Sequence, residues 1–463
     1  MGDGRSTGRV AARTRTIGRG GGAAALVIGL VASSAAPLHA QEAARTCAGH
    51  PVTISWDDPG VGPTINGTNG PDVIQGGPGN ETILAGGGED VVCGGAGTDR
   101  IDGGPGRDEL LGEGDSDTFV GADLAQDVVT GGGRELDTAD YGQSPNAVQV
   151  NETTGLVTGG AVNGGILGME VVKGSNLGDT LVGRVGDDSL RGGAGNDVLE
   201  GRGGEDELNG GSGRDTVSFA RVEASVRLSL SNDVATVGTG STTRVTALVG
   251  FEDAEGTRFD DLLNGDEGNN ELTGGGGDDV IRGKAGDDIL GGGGGDDVLH
   301  PGPGDDFVDG GANDPVTSSG AHGDLVSYQG DTVDPGAVQF EAYLAPFPQL
   351  GLPPGASGVG EDEFSGVESI RGVKTKGNLL QGDDGPNVMI GGPRTDLLEG
   401  FGGNDLLFAL EANDALDGGP GADFLDAGSP TGPDDADLND GGDGNDTCLS
   451  SVPDLTTRCE TVD

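Results

Sequence analysis

Aromatic side chains are only 3 % of the 463 residues (one Trp, three Tyr, 11 Phe), which excludes a core built on packed rings. Positive charge is scarce too: 25 Lys and Arg face 78 Asp and Glu, for a formal charge of −53. A phosphate backbone is bound through a basic surface, so nucleic acid is excluded as a partner. No apolar run reaches the ~20 residues that cross a bilayer, and no membrane span is expected in the mature chain. Histidine occurs four times, never as H-E-x-x-H, and the only near-match to a serine-hydrolase elbow, "GGSGR" at 210–214, is a repeat turn. These absences leave no catalytic constellation, and the chain is not expected to be an enzyme.

The N-terminal 40 residues read as a secretory signal peptide. Arg5, Arg9, Arg13, Arg15 and Arg19 precede a short apolar run at 23–32, and the small residue Ala40 stands before the expected cut. A secreted, extracellular protein is expected, with no lipobox at Cys47 and no hydrophobic tail. Losing five Arg and one Asp with residues 1–40 moves the formal charge from −53 to −57, which must be solvated or neutralised by cations. Four cysteines allow three pairings. In an exported chain the pairing of near neighbours is expected, Cys47 with Cys93 and Cys448 with Cys459.

Glycine is what the sequence has in excess: 98 residues, beside 22 Pro. Without a period that composition would indicate disorder. A period of nine is present. It runs without a slip through 67–120, 174–218, 256–309 and 382–426, with one more copy, "GGDGNDTCL", at 441–449, 23 repeats in all. The sixth position is Asp in 20 of them, the exceptions being Glu81, Asn270 and Asn387; the eighth is Ile, Leu, Val, Phe or Met in 22. A solvated linker has no reason to keep either rule.

The pattern GGxGxDxUx, with U apolar, resembles the calcium-binding nonapeptide of the RTX, or hemolysin-type, repeat family. The resemblance implies an all-β fold, a right-handed parallel β-roll in which six residues turn and hold Ca²⁺ while three form a short strand. It implies multiple calcium ions, held in the first block by Asp72, Asp90, Asp99, Asp108 and Asp117, and in the second by Asp179, Asp188, Asp197, Asp206 and Asp215. In the third block the ligands would be Asp261, Asp279, Asp288, Asp297 and Asp306. In the fourth they would be Asp396, Asp405, Asp414, Asp423 and Asp446. Many secreted chains of this kind end in a similar "GNDTC…CE" segment, which adds weight to Cys448–Cys459.

Elementary physics leads the same way. A three-residue strand is unstable alone, but stacked on its copies it pairs its backbone and buries its one apolar side chain. With two nonapeptides per coil, as in the family, Asp72, Asp90 and Asp108 form one column, and Asp99 and Asp117 with Glu81 form the other. Neighbouring strands lie ~4.8 Å apart, and carboxylates that close repel by about 1 kcal/mol even in water. A hard cation taking about six to eight oxygens removes the repulsion, and Ca²⁺ suits carboxylates and main-chain carbonyls.

The expected organisation is a signal peptide (1–40), an N-terminal cap (41–66), roll blocks (67–120, 174–218, 256–309, 382–449) and a C-terminal cap (450–463). Between the blocks lie three β-rich inserted lobes (121–173, 219–255, 310–381). Each insert opens on an Asp followed four residues later by Tyr141, Phe219 or Tyr328, and closes on a Gly-apolar-Glu triplet ending at Glu170, Glu252 or Glu368. Trp56 is expected to shield the first coil. The function expected is a secreted calcium-binding protein whose roll folds on extracellular Ca²⁺. The alternatives are a calcium-dependent adhesin or matrix component binding cell-surface glycans, and an accessory module of a secreted polysaccharide-acting enzyme. Family members usually leave the cell by an exporter that reads the C-terminus, so the N-terminal signal is a departure.

Overall fold

The computed structural model describes residues 45–58, 62–133, 135–160, 163–238, 244–312, 324–328, 340–343, 355–357, 361–365, 367–374, 376–428, 437–449, 455–459 and 461–462. The signal-peptide expectation lies outside these residues. Arg45–Asp463 forms one compact unit. It is an all-β parallel solenoid of about 18 turns, and among the described residues no helix is long and apolar enough to cross a membrane.

Short strands alternate between two facing ladders. One begins at Ile54–Ser55 and continues through Val73–Gln75, Val91–Gly95 and Glu109–Glu113, all parallel. The other begins at Thr64–Asn66 and continues through Thr82–Leu84, Arg100–Asp102 and Thr118–Val120. Strand pairing leaves both ladders open at their ends. Register brings like onto like: Ile65 faces Ile83, Ile83 faces Ile101, and Ile101 faces Phe119. The eighth-position side chains of all 23 repeats are at most 2 % exposed and meet between the ladders. Burying each aliphatic one contributes about 2 kcal/mol. The core is therefore a file of single side chains, which a ring-poor composition can fill.

The three inserts share one topology. In the first, Val128–Thr130 pairs with Gly164–Leu167, which runs antiparallel to Leu156–Thr158, itself antiparallel to Gln149–Asn151; that strand then pairs in parallel with Thr180–Val182. The opposite ladder meanwhile passes through the single strand Val171–Lys173. The second insert repeats this in the other ladder with Arg244–Val249, Val234–Val237 and Val226–Ser229. The third returns to the first ladder with Glu361–Ser365, Gly355–Ser357 and Phe340–Tyr343. The inserts thus continue the roll's own ladders as S-shaped meanders. Val150, Val157 and Ile166 in the first, and Leu228, Ala235 and Leu248 in the second, keep the buried file unbroken.

Candidate metal centre

The turns joining the strands stack into two columns of sixth-position residues, and the carboxylates in them are buried. Asp90, Asp108, Asp117, Asp197, Asp279 and Asp297 are each at most 1 % exposed. One oxygen of each is held by the backbone of the coil before. The N–H of Asp72 donates to Asp90 Oδ1 at 2.7 Å, that of Asp90 to Asp108 Oδ1 at 2.8 Å, and that of Asp99 to Asp117 Oδ1 at 2.8 Å, each across 18 residues. The same bond links Asp179 to Asp197, Asp197 to Asp215, Asp261 to Asp279, Asp279 to Asp297 and Asp405 to Asp423. The two-column arrangement read from the 18-residue spacing is the one observed.

The other oxygen divides the turns into two kinds. In the repeat 192–200, Gly193 and Gly195 have φ of +118° and +112°. Asp197 Oδ2 lies so near Gly192 that a Cβ there would be 2.2 Å away. That oxygen is buried with no hydrogen-bond donor, and so are the Oδ2 atoms of Asp90, Asp99, Asp108, Asp117, Asp215, Asp279, Asp288, Asp297, Asp405 and Asp423. We call these turns open. Their second residue has positive φ even where it is not glycine, as at Glu113 (75°) and Lys284 (91°). A left-handed residue turns its N–H away from the carboxylate; that of Lys284 donates instead to the Pro301 carbonyl at 3.0 Å.

In closed turns the second residue is not left-handed, and its N–H donates to the sixth-position side chain. Thr68 donates to Asp72 at 2.6 Å, Gly77 to Glu81 at 3.0 Å, Ser175 to Asp179 at 2.5 Å and Arg184 to Asp188 at 2.6 Å. Thr257 donates to Asp261 at 2.5 Å and Asp266 to Asn270 at 2.9 Å. These are the first two turns of blocks one, two and three. At the entry to block four, Val373, Asp383 and Gly392 do the same for Asn378, Asn387 and Asp396. Hydroxyls add to the closure: Thr68 Oγ1 reaches Asp72 at 2.8 Å, Ser175 Oγ reaches Asp179 at 2.9 Å and Thr257 Oγ1 reaches Asp261 at 3.2 Å.

Burial first, and neighbouring carboxylates after it, raise these groups despite the opposing backbone donors. Asp99, Asp108 and Asp197 are pushed up to about 6, Asp117 and Asp405 to about 7, and Asp279 to about 8. The columns are thus short of positive charge. Among the described residues no three Asp, Glu, His or Cys side chains converge on one point. A metal ion would complete its shell from main-chain carbonyls, and the stacked turns supply them: a Cβ on Gly293 would lie 2.3 Å from Gly275 O, and one on Gly295 2.3 Å from Gly277 O. Buried carboxylate oxygens beside carbonyl oxygens make a hard, all-oxygen donor set, which fits Ca²⁺.

Of the aspartates named from the repeats, Asp72, Asp179, Asp188, Asp261 and Asp396 lie in closed turns. Asp206, Asp306, Asp414 and Asp446 take their places in the columns, each accepting an N–H from the coil before. Asp127, Asp137, Asp324 and Asp437 occupy further column positions that repeat counting misses, because their spacings are 19, 20, 27 and 23 residues. Glu170, Glu252 and Glu368 stand in for the aspartate at the insert ends, accepting from the N–H of Asp137, Asp215 and Asp324. At the roll ends, Cys47 and Cys93 are at disulfide distance with Cα atoms 5.8 Å apart, and Cys448 and Cys459 likewise at 6.1 Å. Trp56 lies on Gly77, where a Cβ would come within 2.8 Å of its ring.

No curated protein matches the chain. A family model described as the RTX calcium-binding nonapeptide repeat matches residues 64–92, 94–123, 174–217, 255–290, 283–315, 381–416 and 399–429. The stacked nonapeptides, the buried aspartate columns and these matches agree: the chain carries RTX calcium-binding repeats in several copies along its length.

Proposed function

We propose that the chain is a secreted protein whose β-roll folds on binding extracellular Ca²⁺, with the open-turn aspartates as ligands. The observation that carries this reading is the set of buried Oδ2 atoms without a donor, repeated from Asp90 to Asp423. A buried, unsatisfied carboxylate oxygen opposes folding. Calcium bound there supplies the missing positive charge, and ion binding to the folded state is folding free energy. Two cysteine pairs at disulfide distance and a charge that needs cations suit an oxidising, calcium-rich exterior.

Equilibrium dialysis of residues 41–463 against millimolar calcium tests it. Uptake of several ions per chain is expected, with affinities of about 10⁻⁴–10⁻³ M, the range of extracellular sites. Asp197→Asn and Asp297→Asn should each reduce the bound calcium. A chain that takes up none, or whose uptake ignores both substitutions, contradicts the proposal.

A further inference from the structure

We infer that calcium occupies only the open turns, and that the two turns opening each roll block are built to close without an ion. The inference rests on the calcium reading and assigns which aspartates serve it. In a closed turn the protein's own donors already fill the place the ion would take. Asp179 Oδ1 accepts from Val148 N–H at 2.6 Å and from Ser175 Oγ at 2.9 Å, while Oδ2 accepts from Ser175 N–H. Asp261 repeats this with Val226 and Thr257. At Asp396, Asn378 donates to Oδ1 and Gly392 to Oδ2.

At Asp188 the cation belongs to the chain itself. Arg184 stands where the repeat has its second glycine. Its backbone N–H donates to Oδ2 at 2.6 Å, and its Nε to Oδ1 at 3.0 Å. The same guanidinium reaches Glu170 at 3.0 Å and lies 3.5 Å from the buried Glu152. One arginine thus ties the first insert to the coil on which the roll resumes.

A second, independent observation comes from the repeats. Only three of the 23 lack Asp at the sixth position, Glu81, Asn270 and Asn387, and all three are in closed turns. An amide oxygen can accept the N–H of the second residue as well as a carboxylate can, at 2.9 Å in both asparagine cases. An open turn that holds an ion needs the charge. The second residue of a closed turn is Thr68, Ser175, Arg184, Thr257, Asp266 or Asp383 in six cases and Gly77 or Gly392 in two, and none of these has positive φ, whereas Glu113, Lys284 and Phe401 in open turns do. The reason is positional: a turn that opens a stack has no like turn before it to supply carbonyls, so it satisfies its carboxylate from within.

The test compares bound calcium per chain by equilibrium dialysis in residues 41–463 for Asp179→Asn, Asp261→Asn and Asn270→Asp in closed turns, with Asp197→Asn and Asp279→Asn in open ones. The closed-turn variants should keep the wild-type count, and the open-turn variants should lose calcium. Asn270→Asp keeps the oxygen that accepts from the Asp266 N–H and exchanges the amide's donation to the Glu252 carbonyl for a charged oxygen, so it asks whether charge alone recruits an ion. The circular dichroism of every variant in calcium identifies one that fails to fold. Loss of calcium in Asp179→Asn or Asp261→Asn equal to that in Asp197→Asn overturns the assignment, as does an extra ion in Asn270→Asp. Wild-type chain that takes up no calcium overturns the calcium reading and this assignment with it, a result distinct from uptake that ignores the two kinds of turn.

Discussion

A single open-turn aspartate is asked to do two opposed things. Its Oδ1 is a backbone acceptor, which favours the carboxylate, while its Oδ2 is buried without a donor, which favours the acid. In Asp117, pushed up to about 7, and Asp279, pushed up to about 8, the second effect wins. The folded ion-free roll therefore holds more protons than the unfolded chain, whose aspartates titrate at about 3.9, throughout the interval between. Stability from these groups is fully present below pH ~4 and is lost as pH rises through 6 to 8. In chelator, acidification from pH 8 to pH 5 should increase β content by circular dichroism; a decrease would show that the carboxylates are not held neutral. Backbone strain is the other residue-scale lever. Leu410 and Ala412 have φ of 85° and 94° at turn positions that elsewhere hold glycine, and the Leu410 side chain is largely solvent-facing. Left-handed geometry costs a non-glycine residue roughly 1–2 kcal/mol, partly offset by glycine's freedom in the unfolded chain. Leu410→Gly with Ala412→Gly should raise stability in calcium by about 1 kcal/mol, read from denaturant unfolding. A fall would contradict the strain argument.

At the scale of turns and strands, block four should be the weakest. The reason is the left-handed Phe401 in the open turn of Asp405 and the left-handed Leu410 and Ala412 in the turn that follows it, not Asn387, whose turn is closed. Amide exchange across a calcium titration should show 192–215 and 274–297 protected at lower calcium than 400–423, and the reverse order would contradict this. Much of the element scale is legible in the sequence, because a coil of two nonapeptides repeats every 18 residues and one apolar position per repeat must face inward. Ile101 and Leu110 are fully buried for that reason. Two features were not legible. The division into open and closed turns depends on whether a like turn stacks before it, although Ser175, Arg184 and Thr257 at a glycine position were its local trace. The splicing of the inserts into the ladders, in place of lobes standing off the roll, rests on pairings such as Gln149–Asn151 with Thr180–Val182, which jump past intervening strands. Local alternation reveals a strand but not its partner.

Over the whole molecule the roll has two ends where a coil stacks on one side only, and a cysteine pair lies at each. Cys47, in Thr46–Cys47, reaches Cys93 in Val91–Gly95, and Cys448 reaches Cys459 between the last strands. Closing a loop of this kind contributes about 3 kcal/mol in the chain-entropy account. Reduction should therefore raise the calcium concentration needed for folding without abolishing folding, since the open-turn ligands lie between the ends. Unchanged calcium dependence after complete reduction would remove the clamp from the account. The central claim is that fixed negative charge, buried coil after coil, makes this fold conditional on a cation. Far-UV circular dichroism of residues 41–463 at neutral pH, first in chelator and then in millimolar calcium, tests it most directly. The account predicts a largely unstructured spectrum that becomes β-rich on adding calcium; a β-rich spectrum in chelator, unchanged by calcium, would contradict it.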